Sequence, residues 1–139
     1  DDLTVIGSIR AGIYAKTTAP DTDFTVKLCD VYPDGTSYNV CDGLVRASRR
    51  NGIGMIAPHL SPDDITKFDV DCKATALTFL AGHRIRIQVS SSNFPCYDRN
   101  PNTGEPFGTA THTQKAIQTI LHDREHPSRL ILPQIRELP

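Results

Sequence analysis

The stretch "DFTVKLCDVYPDGTSYNVC", residues 23–41, predicts a β-hairpin, and its pattern recurs along most of the chain. Alternate side chains in its first half belong on opposite faces, which is the period of a strand with one face on a core. Pro33 and Gly35 supply the turn, because Pro fixes its φ and Gly accepts a positive φ, and a second strand returns through residues 37–49. The face predicted to be buried carries Phe24, Val26 and Leu28, and the other face carries Thr25, Lys27 and Cys29.

Other segments show the same period of two, and they predict strands over residues 9–15, 67–74, 84–89, 115–122 and 128–135. No segment carries a long helical stripe, and "SPDDI" at residues 61–65 suits a single short turn capped by Ser61. Strands separated by Pro, Gly, Asn and Asp turns indicate an all-β chain folded as an antiparallel sandwich or barrel. The residues predicted to face the core are Ile9, Ala11, Ile13 and Ala15, then Phe68, Val70, Cys72 and Ala74, then Ile85, Ile87 and Val89.

Two irregular stretches, residues 49–64 and residues 90–108, interrupt the strands. The second is so rich in Pro, Asn and Gly that it must be a loop. Long ordered loops are more often contact surfaces than simple connections, so the sequence predicts a contact surface in this loop.

The totals describe one domain with a mixed surface. The chain has 139 residues, and its 15 Lys and Arg against 16 Asp and Glu give a formal charge of -1. This balance excludes the electrostatic footprint of a nucleic-acid or anionic-membrane binder. No apolar run reaches the roughly 18 residues of a membrane span, and no signal-peptide pattern opens the chain. The opening "DDLTVIG" lacks Met, so we expect a piece of a longer polypeptide, located in the cytoplasm.

The four cysteines, Cys29, Cys41, Cys72 and Cys96, form no CxxC pair, and the expected state is four reduced thiols. Cys29 and Cys41 stand symmetrically about the hairpin turn. A cross-strand disulfide between them is therefore the alternative, although only some cross-strand pairs are close enough for one.

Residues 122–126, "HDREH", match His-x-x-Glu-His, the spacing at which a helix places two histidines on one zinc ion. Pro127 follows directly and disfavours helix at His126, while residues 116–121 before the motif alternate like a strand. A loop between two strands is the better account. An independent metallohydrolase using His122, Glu125 and His126 is therefore the least favoured function.

Two serine motifs are interpreted as structural. "GTSYN", residues 35–39, differs by one residue from a Gly-x-Ser-x-Gly nucleophile elbow, but Ser37 sits at a hairpin tip with no helix after it. Serines 90–92 follow His83 in sequence, yet an extended strand separates His83 from Ser90 by about 23 Å, and no carboxylate is evident to orient the histidine. We therefore predict no catalytic residue, no metal and no other cofactor in this chain.

Charged side chains are interpreted as a solvated surface. Outward Arg alternating with inward Ile is typical of a half-buried sheet, and an ion pair at an interface is the sharper alternative. Aspartates offer oxygen ligands for calcium, but none shows the alternating spacing of a dedicated calcium loop. The residues considered are Arg46, Arg49, Arg50, Arg84, Arg86 and Arg99, and Asp1, Asp2, Asp21, Asp23, Asp63 and Asp64.

Four blocks in order resemble the C-terminal domain of CocE/NonD hydrolases and X-Pro dipeptidyl-peptidases. The signature block is "GHRIRIQVSSSNFPCYDRNPNTGE", residues 82–105. The others are "DLTVIGSIRAGIYAKTTAPDTDFTVKLCDVYPDG", "DGLVRASRR" and "QTILHDREHPSRLILP". The resemblance spans nearly the whole chain and is far more specific than any short motif.

The resemblance implies a jelly-roll, galactose-binding-like antiparallel β-sandwich that follows a catalytic α/β-hydrolase domain in the same polypeptide. In that family the catalytic serine, aspartate and histidine belong to the α/β domain, which hydrolyses acyl ester or amide bonds, including X-Pro bonds, through an acyl-enzyme. None of the matching blocks contains those positions. The implied role is to pack against the catalytic domain, to help enclose the substrate region and to support a homo-oligomer.

The chain starts part-way into the family's C-terminal domain, so we expect a sandwich that lacks its first strands. Ser8 stands where the family usually has proline, and Cys41 and Cys96 are not typical of it. The candidates for contact with the catalytic domain or the substrate region lie in the long loop and are Phe94, Pro95, Tyr97, Asp98, Arg99 and Asn100.

A carbohydrate-binding module is the alternative function, since galactose-binding-like sandwiches often hold sugars. Sugar sites present aromatic faces for stacking, and this chain has no Trp and only 6% aromatic residues. The candidate rings are Phe94, Tyr97 and Phe107.

Overall fold

The computed structural model, which describes residues 1–135, consists almost entirely of antiparallel strands in two sheets. The strands are β1 (Leu3–Thr17), β2 (Asp23–Val31), β3 (Ser37–Arg46), β4 (Thr66–Phe79), β5 (Arg84–Ser90), β6 (Gln118–Leu121) and β7 (Arg129–Ile131). A single 3₁₀ turn at Ala47–Arg49 is the one helical element in this range. The prediction of an all-β antiparallel sandwich is confirmed.

Each sheet is built around a central strand, β1 in the first sheet and β2 in the second. In the first sheet β1 pairs with β4 on one side and with the short strands β6 and β7 on the other. In the second sheet β2 is central, between β3 and β5. Contacts between the sheets run from β3 and β2 to β4. The described residues include no helix with the length and hydropathy of a membrane span.

The hairpin that joins β2 to β3 forms as predicted. The backbone N–H of Gly35 donates to the carbonyl of Tyr32 at 2.9 Å, and Gly35 has a φ of +91° that a side chain would disfavour. Residues 61–65 make a single turn, in which the N–H of Asp64 donates to the carbonyl of Ser61. Both turns form where predicted, but the bond at Ser61 is accepted by its backbone carbonyl, and no side-chain cap by Ser61 is present in the described residues.

Apolar side chains of β1, β2 and β4 fill the space between the sheets. The rings of Phe24 and Phe68 lie 4.5 Å apart at the centre of this core. The predicted alternation of β1 is confirmed, because its inward residues are all buried: Ile9, Ala11, Ile13 and Ala15.

A β-bulge in β4 limits the predicted alternation of that strand. Ser8 pairs with Ala74 and Arg10 pairs with Asp71, so two residues of β4, Cys72 and Lys73, stand opposite one residue of β1. Lys73 adopts a φ of +68° at this point. The side chains beyond the bulge change faces, and Ala74 is exposed rather than buried as predicted.

The two-faced prediction for β2 is also wrong in part. Thr25 and Cys29, which were expected on the exposed face, are buried together with Val26 and Leu28. The reason is the position of β2 as the central strand of its sheet, which neighbours cover on both edges.

The prediction that Ile85, Ile87 and Val89 lie in the core is wrong. These side chains do share a face with Val26 and Leu28, because Ile87 pairs with Leu28 and Val89 pairs with Val26. They nevertheless remain 41%, 42% and 36% exposed. Strand β5 is the edge strand farthest from β3, so its inner face extends beyond the part of the second sheet that packs on β4.

A substitution at Gly43 tests the close approach of β3 to β4. A Cβ at this position would overlap the carbonyl oxygen of Asp71 and lie 2.7 Å from its carbonyl carbon. We expect Gly43→Ala to lower the free energy of unfolding by about 3 kcal/mol, because the backbone must move to accommodate the methyl group. Chemical denaturation measures this loss.

Gly12→Ala is the matched control. Its Cβ would meet only the ends of two side chains, Lys67 at 3.3 Å and Asp69 at 3.6 Å, and no backbone atom within 4 Å. Equal stability losses for the two variants would contradict the close approach of the strands.

Candidate functional site

A buried polar network anchors the long loop after β5 to the sandwich. Asp21 and Asp23, at the start of β2, are 6% and 1% exposed. The side-chain amide of Asn100, in the loop, donates to Asp21 at 3.1 Å and to Asp23 at 2.9 Å. One amide group therefore joins the loop to both carboxylates.

Arg46 and Ser48 complete this network from the end of β3. Arg46 pairs with Asp23 across the β2–β3 ladder and donates to both carboxylate oxygens at 2.8 and 2.9 Å. Ser48 donates its N–H and its hydroxyl to Asp21 at 2.8 and 3.0 Å. Hydrogen bonds with Asp23 raise the pKa of Arg46 against the opposing effect of burial. The sequence predicts that the arginines lie either on a solvated surface or in an ion pair at an interface. Arg46 does neither, because its ion pair with Asp23 lies within this domain.

A cavity of about 930 Å³ opens between this network and the loop. Of the six loop candidates, four line the cavity: Phe94, Asp98, Arg99 and Asn100. Pro95 and Tyr97 do not. Their assignment to a contact with a catalytic domain or substrate stays a prediction.

Several cavity residues come from parts of the chain that sequence reasoning did not connect with the loop. They are brought in by the 3₁₀ turn, by the loop before β4 and by the second half of the long loop. The sequence carries only a weak indication of these cavity residues, namely the density of Pro and Gly that marks residues 101–108 as an ordered loop. These residues are Ser48, Arg49, Ile56, His59 and His112, and they join Phe107, which the sequence analysis names in the long loop.

Two phenylalanine rings of the cavity carry guanidinium groups. The guanidinium carbon of Arg99 lies 4.4 Å from the centre of the Phe94 ring, and that of Arg46 lies 5.6 Å from the centre of Phe107. Such stacking holds each ring and each cation in a defined orientation.

Tyr97 belongs to a different surface, near the bulge of β4. The ammonium of Lys73 lies 5.9 Å from the centre of the Tyr97 ring. A hydrogen bond with Tyr97 is the largest cause that raises the pKa of Lys73. Tyr97 therefore contributes to the position of the loop and not to the cavity.

His83, at the start of β5, is oriented by a carboxylate that the sequence did not reveal. Its Nδ1 lies 2.9 and 3.0 Å from the two oxygens of Asp30, and its ring lies 4.2 Å from that of Tyr32. Ser90 is at the opposite end of the same strand. The His–Asp pair therefore joins the turn before β5 to β2, without a serine beside it.

The "HDREH" segment forms a loop between β6 and β7, as predicted. His126 Nδ1 lies 3.1 Å from Asp123, and hydrogen bonds led by the backbone N–H of His126 lower the pKa of Asp123. The nearby hydroxyl of Ser128 donates to the carbonyl of Leu121 and accepts from the N–H of Tyr14, so it is engaged structurally. Within residues 1–135 no three His, Cys, Asp or Glu side chains are grouped to hold a metal ion.

The cysteines are free thiols, and the alternative of a Cys29–Cys41 disulfide is wrong. The register next to the turn, with Val31 opposite Ser37, already places Cys29 opposite Asn39, and Cys41 pairs with Leu28 beyond a one-residue shift. The two cysteines are therefore not the cross-strand partners that their symmetry about the turn predicted. Burial raises the pKa of Cys72 to about 11.

Comparison with known proteins identifies the family that this chain resembles. The model of the X-Pro dipeptidyl-peptidase C-terminal non-catalytic domain matches residues 1–131. A cocaine esterase of Rhodococcus sp. (strain MB1 Bresler) is 43% identical over 139 residues, which are 98% of this chain and 24% of that protein. A putative serine esterase of Mycobacterium tuberculosis (strain CDC 1551 / Oshkosh) is 27% identical over 150 residues, 96% of this chain and 22% of that protein. The chain thus spans about a quarter of the length of the curated relatives it matches.

Solved structures share the fold. An aminopeptidase from a marine-sediment Thaumarchaeota archaeon superposes with a TM-score of 0.89 at 32% identity, over 98% of this chain and 24% of that one. An α-amino acid ester hydrolase gives a TM-score of 0.89 at 32% identity, over 97% of this chain and 24% of that one. A CocE/NonD family hydrolase of Staphylococcus aureus, at 17% identity and a TM-score of 0.75 over 97% of this chain and 29% of that one, shares the fold alone.

Removal of the Asn100 amide tests the polar network. We expect Asn100→Ala to lower the free energy of unfolding by about 2–3 kcal/mol, because two buried carboxylates each lose a hydrogen-bond donor. Thermal and urea denaturation measure the loss. Asn51→Ala, at an exposed turn position, is the control and should change stability by less than about 0.5 kcal/mol. If Asn100→Ala lowered the free energy of unfolding as little as the control does, the network would not anchor the loop.

The raised pKa of Cys72 predicts a pH dependence of stability. The unfolded thiol, with a pKa near 9.0, loses its proton before the folded thiol, whose pKa is about 11. Stability is therefore present below pH 9 and falls as the pH rises toward 11. We expect the unfolding free energy of the wild type to fall more steeply over this range than that of Cys72→Ala. If the unfolding free energies of the two proteins fell equally between pH 9 and pH 11, burial of the Cys72 thiol would not be the cause of the pH dependence.

Proposed function

The chain belongs to the family of X-Pro dipeptidyl-peptidase C-terminal non-catalytic domains, a domain of CocE/NonD-type hydrolases, and from this premise we propose that it supports a serine hydrolase domain of the same polypeptide. The proposed parent enzyme cleaves acyl ester or amide bonds, X-Pro dipeptidyl bonds among them. The relatives are described as esterases, an aminopeptidase and an ester hydrolase, which all act on acyl compounds. The proposed contribution of this domain is to stabilise the catalytic domain and to help enclose its substrate region.

The uncovered inner face of β5 carries this proposal. Ile85, Ile87 and Val89 form an apolar row on the face of β5 that continues the core face of β2, and no strand within residues 1–135 packs over this row. Burying the exposed part of each side chain would contribute on the order of 1 kcal/mol. A packing partner from the same polypeptide would gain this energy without the cost of bringing two molecules together.

The long loop supplies the second part of the proposed contact. Phe94, Ile56 and Phe107 are exposed large apolar side chains, and all three line the cavity. Exposed apolar groups concentrated at one end of a domain mark an interaction surface. We assign this loop surface to the wall that faces the substrate region of the catalytic domain.

A carbohydrate-binding module is the second candidate function, and one observation favours it. Two of the three candidate rings, Phe94 and Phe107, line the same cavity. Each ring, however, has a guanidinium over one face, and Tyr97 lies elsewhere under Lys73. The hydrolase-domain function is therefore preferred, and saturable binding of this chain on a glycan array would reverse the preference.

A charge placed in the β5 row tests the proposed contact. In the isolated chain Ile87 is already exposed, so Ile87→Lys should change its stability by less than about 0.5 kcal/mol. In the whole polypeptide the same substitution should cost about 2–4 kcal/mol and lower ester turnover, because it buries an unpaired charge. Denaturation of both forms, with turnover of the whole protein, measures the difference.

Gln88→Lys is the matched control, since it adds the same charge to the opposite face of the same strand. Because Gln88 pairs with Lys27, the new lysine should cost both forms the same amount, about 0.5 kcal/mol, and leave turnover unchanged. Equal losses for the two variants in the whole protein would refute the contact at this face. Ester or X-Pro turnover by the isolated chain would refute the non-catalytic role. Loss of a dimer by Ile87→Lys with unchanged stability of the protomer would assign the face to self-association instead.

A further inference from the structure

The cavity below the long loop contains two arginines without an anionic partner. Three arginines line it, and Arg46 donates from Nε and Nη2 to Asp23 and from Nη2 to the carbonyl of Asp98. Arg49 and Arg99, in contrast, form no ion pair and donate no side-chain hydrogen bond to any group within residues 1–135. Two cations with unused donors therefore remain at the cavity.

The position of Arg99 prepares its guanidinium for an anion. The group lies over the face of Phe94, with 4.4 Å between the guanidinium carbon and the ring centre. The contact holds the cation over the ring, and the N–H groups of Arg99 donate no side-chain hydrogen bond within residues 1–135. The edge of a guanidinium matches a carboxylate, which accepts two parallel hydrogen bonds from it.

The acidic residues of the cavity form no ion pair with Arg49 or Arg99 in the described part of the chain. Asp21 accepts bonds from Ser48 and Asn100. Glu105 accepts the hydroxyl of Thr103 at 3.2 Å. Neither of these carboxylates therefore occupies the donors of the two arginines.

The rest of the cavity is suited to an apolar group. Phe94, Phe107 and Ile56 are exposed side chains, and all three face the cavity. The volume of about 930 Å³ falls within the roughly 300–1,000 Å³ that small-molecule sites occupy. Apolar walls with a few convergent polar groups are the usual composition of such sites.

We propose that this cavity binds an organic carboxylate with an aromatic or branched apolar body. The carboxylate pairs with Arg99 and Arg49, and the apolar body packs against Phe94, Phe107 and Ile56. Because hydrolysis of an acyl ester or amide releases a carboxylic acid, the parent reaction would supply ligands of this class. That connection alone rests on the proposed function, since binding to this chain needs no hydrolysis.

A pair of matched probes tests the proposal on the 139-residue chain. The acid is 3-phenylpropionate, and 3-phenylpropionamide has the same shape without the charge. Titrations followed by two-dimensional amide NMR should give saturable shifts at Phe94, Arg99 and Phe107 for the acid. The amide should bind about tenfold more weakly, because it cannot form the charge-assisted pair. Inorganic phosphate, which lacks the apolar body, should also bind more weakly than the acid.

Variants of exposed arginines complete the experiment. Arg99→Gln and Arg49→Gln should each weaken binding of the acid about tenfold, while Arg84→Gln, on the outer face of β5, should leave it unchanged. All three side chains are exposed, so the dispersion of the spectra should be retained. Equal affinity for acid and amide, equal losses in the Arg84 variant, or no saturable shift with the acid would each overturn the site. Phosphate binding as tight as that of the acid would overturn the class of ligand.

Discussion

The shape of the long loop depends on one interaction, the hydrogen bonds that the Asn100 amide donates to two buried aspartates at the start of β2. Buried carboxylates are costly unless charged or polar donors satisfy them. Arg46, Ser48 and Asn100 supply those donors from the end of β3, from the turn after it and from the loop. The same hydrogen bonds that compensate the two buried carboxylates therefore hold the loop in place. The cavity, and the rings and arginines around it, follow from this attachment.

A second constraint is the overlap of the two sheets. The second sheet packs on β4 through β3 and β2, and its third strand extends past that contact. The β2–β5 register directs Ile85, Ile87 and Val89 inward. Because β5 extends past β4, no layer among residues 1–135 covers these side chains. A sheet face of this kind is typical of a domain that works beside another one, which agrees with the family of this chain.

Local patterns predicted those features that depend on neighbours in the sequence. The alternation of β1 and the Pro and Gly of the hairpin turn placed Ile9, Ala11 and Gly35 correctly, since pleat and turn geometry are local properties. The pattern was wrong where an extra residue entered a strand. The bulge at Lys73 exposed Ala74, and the register of the hairpin placed Cys29 opposite Asn39 and not opposite Cys41. Both outcomes depend on the pairing of two strands, which no single segment records.

The sequence by itself determined the all-β antiparallel architecture, the loop nature of residues 90–108 and the family, because periodicity, turn residues and ordered blocks are written along the chain. Only the tertiary structure decided which inward side chains are covered and which residues share a cavity. Asn100 meets Asp21 across 79 positions, and His83 meets Asp30 across 53. Such contacts are created by the way the sheets and the loop pack together, since burial depends on what lies opposite a side chain and not on its period. The candidate site of this protein is therefore a product of long-range packing, although seven of its residues stood in the stretch that most clearly marks the family.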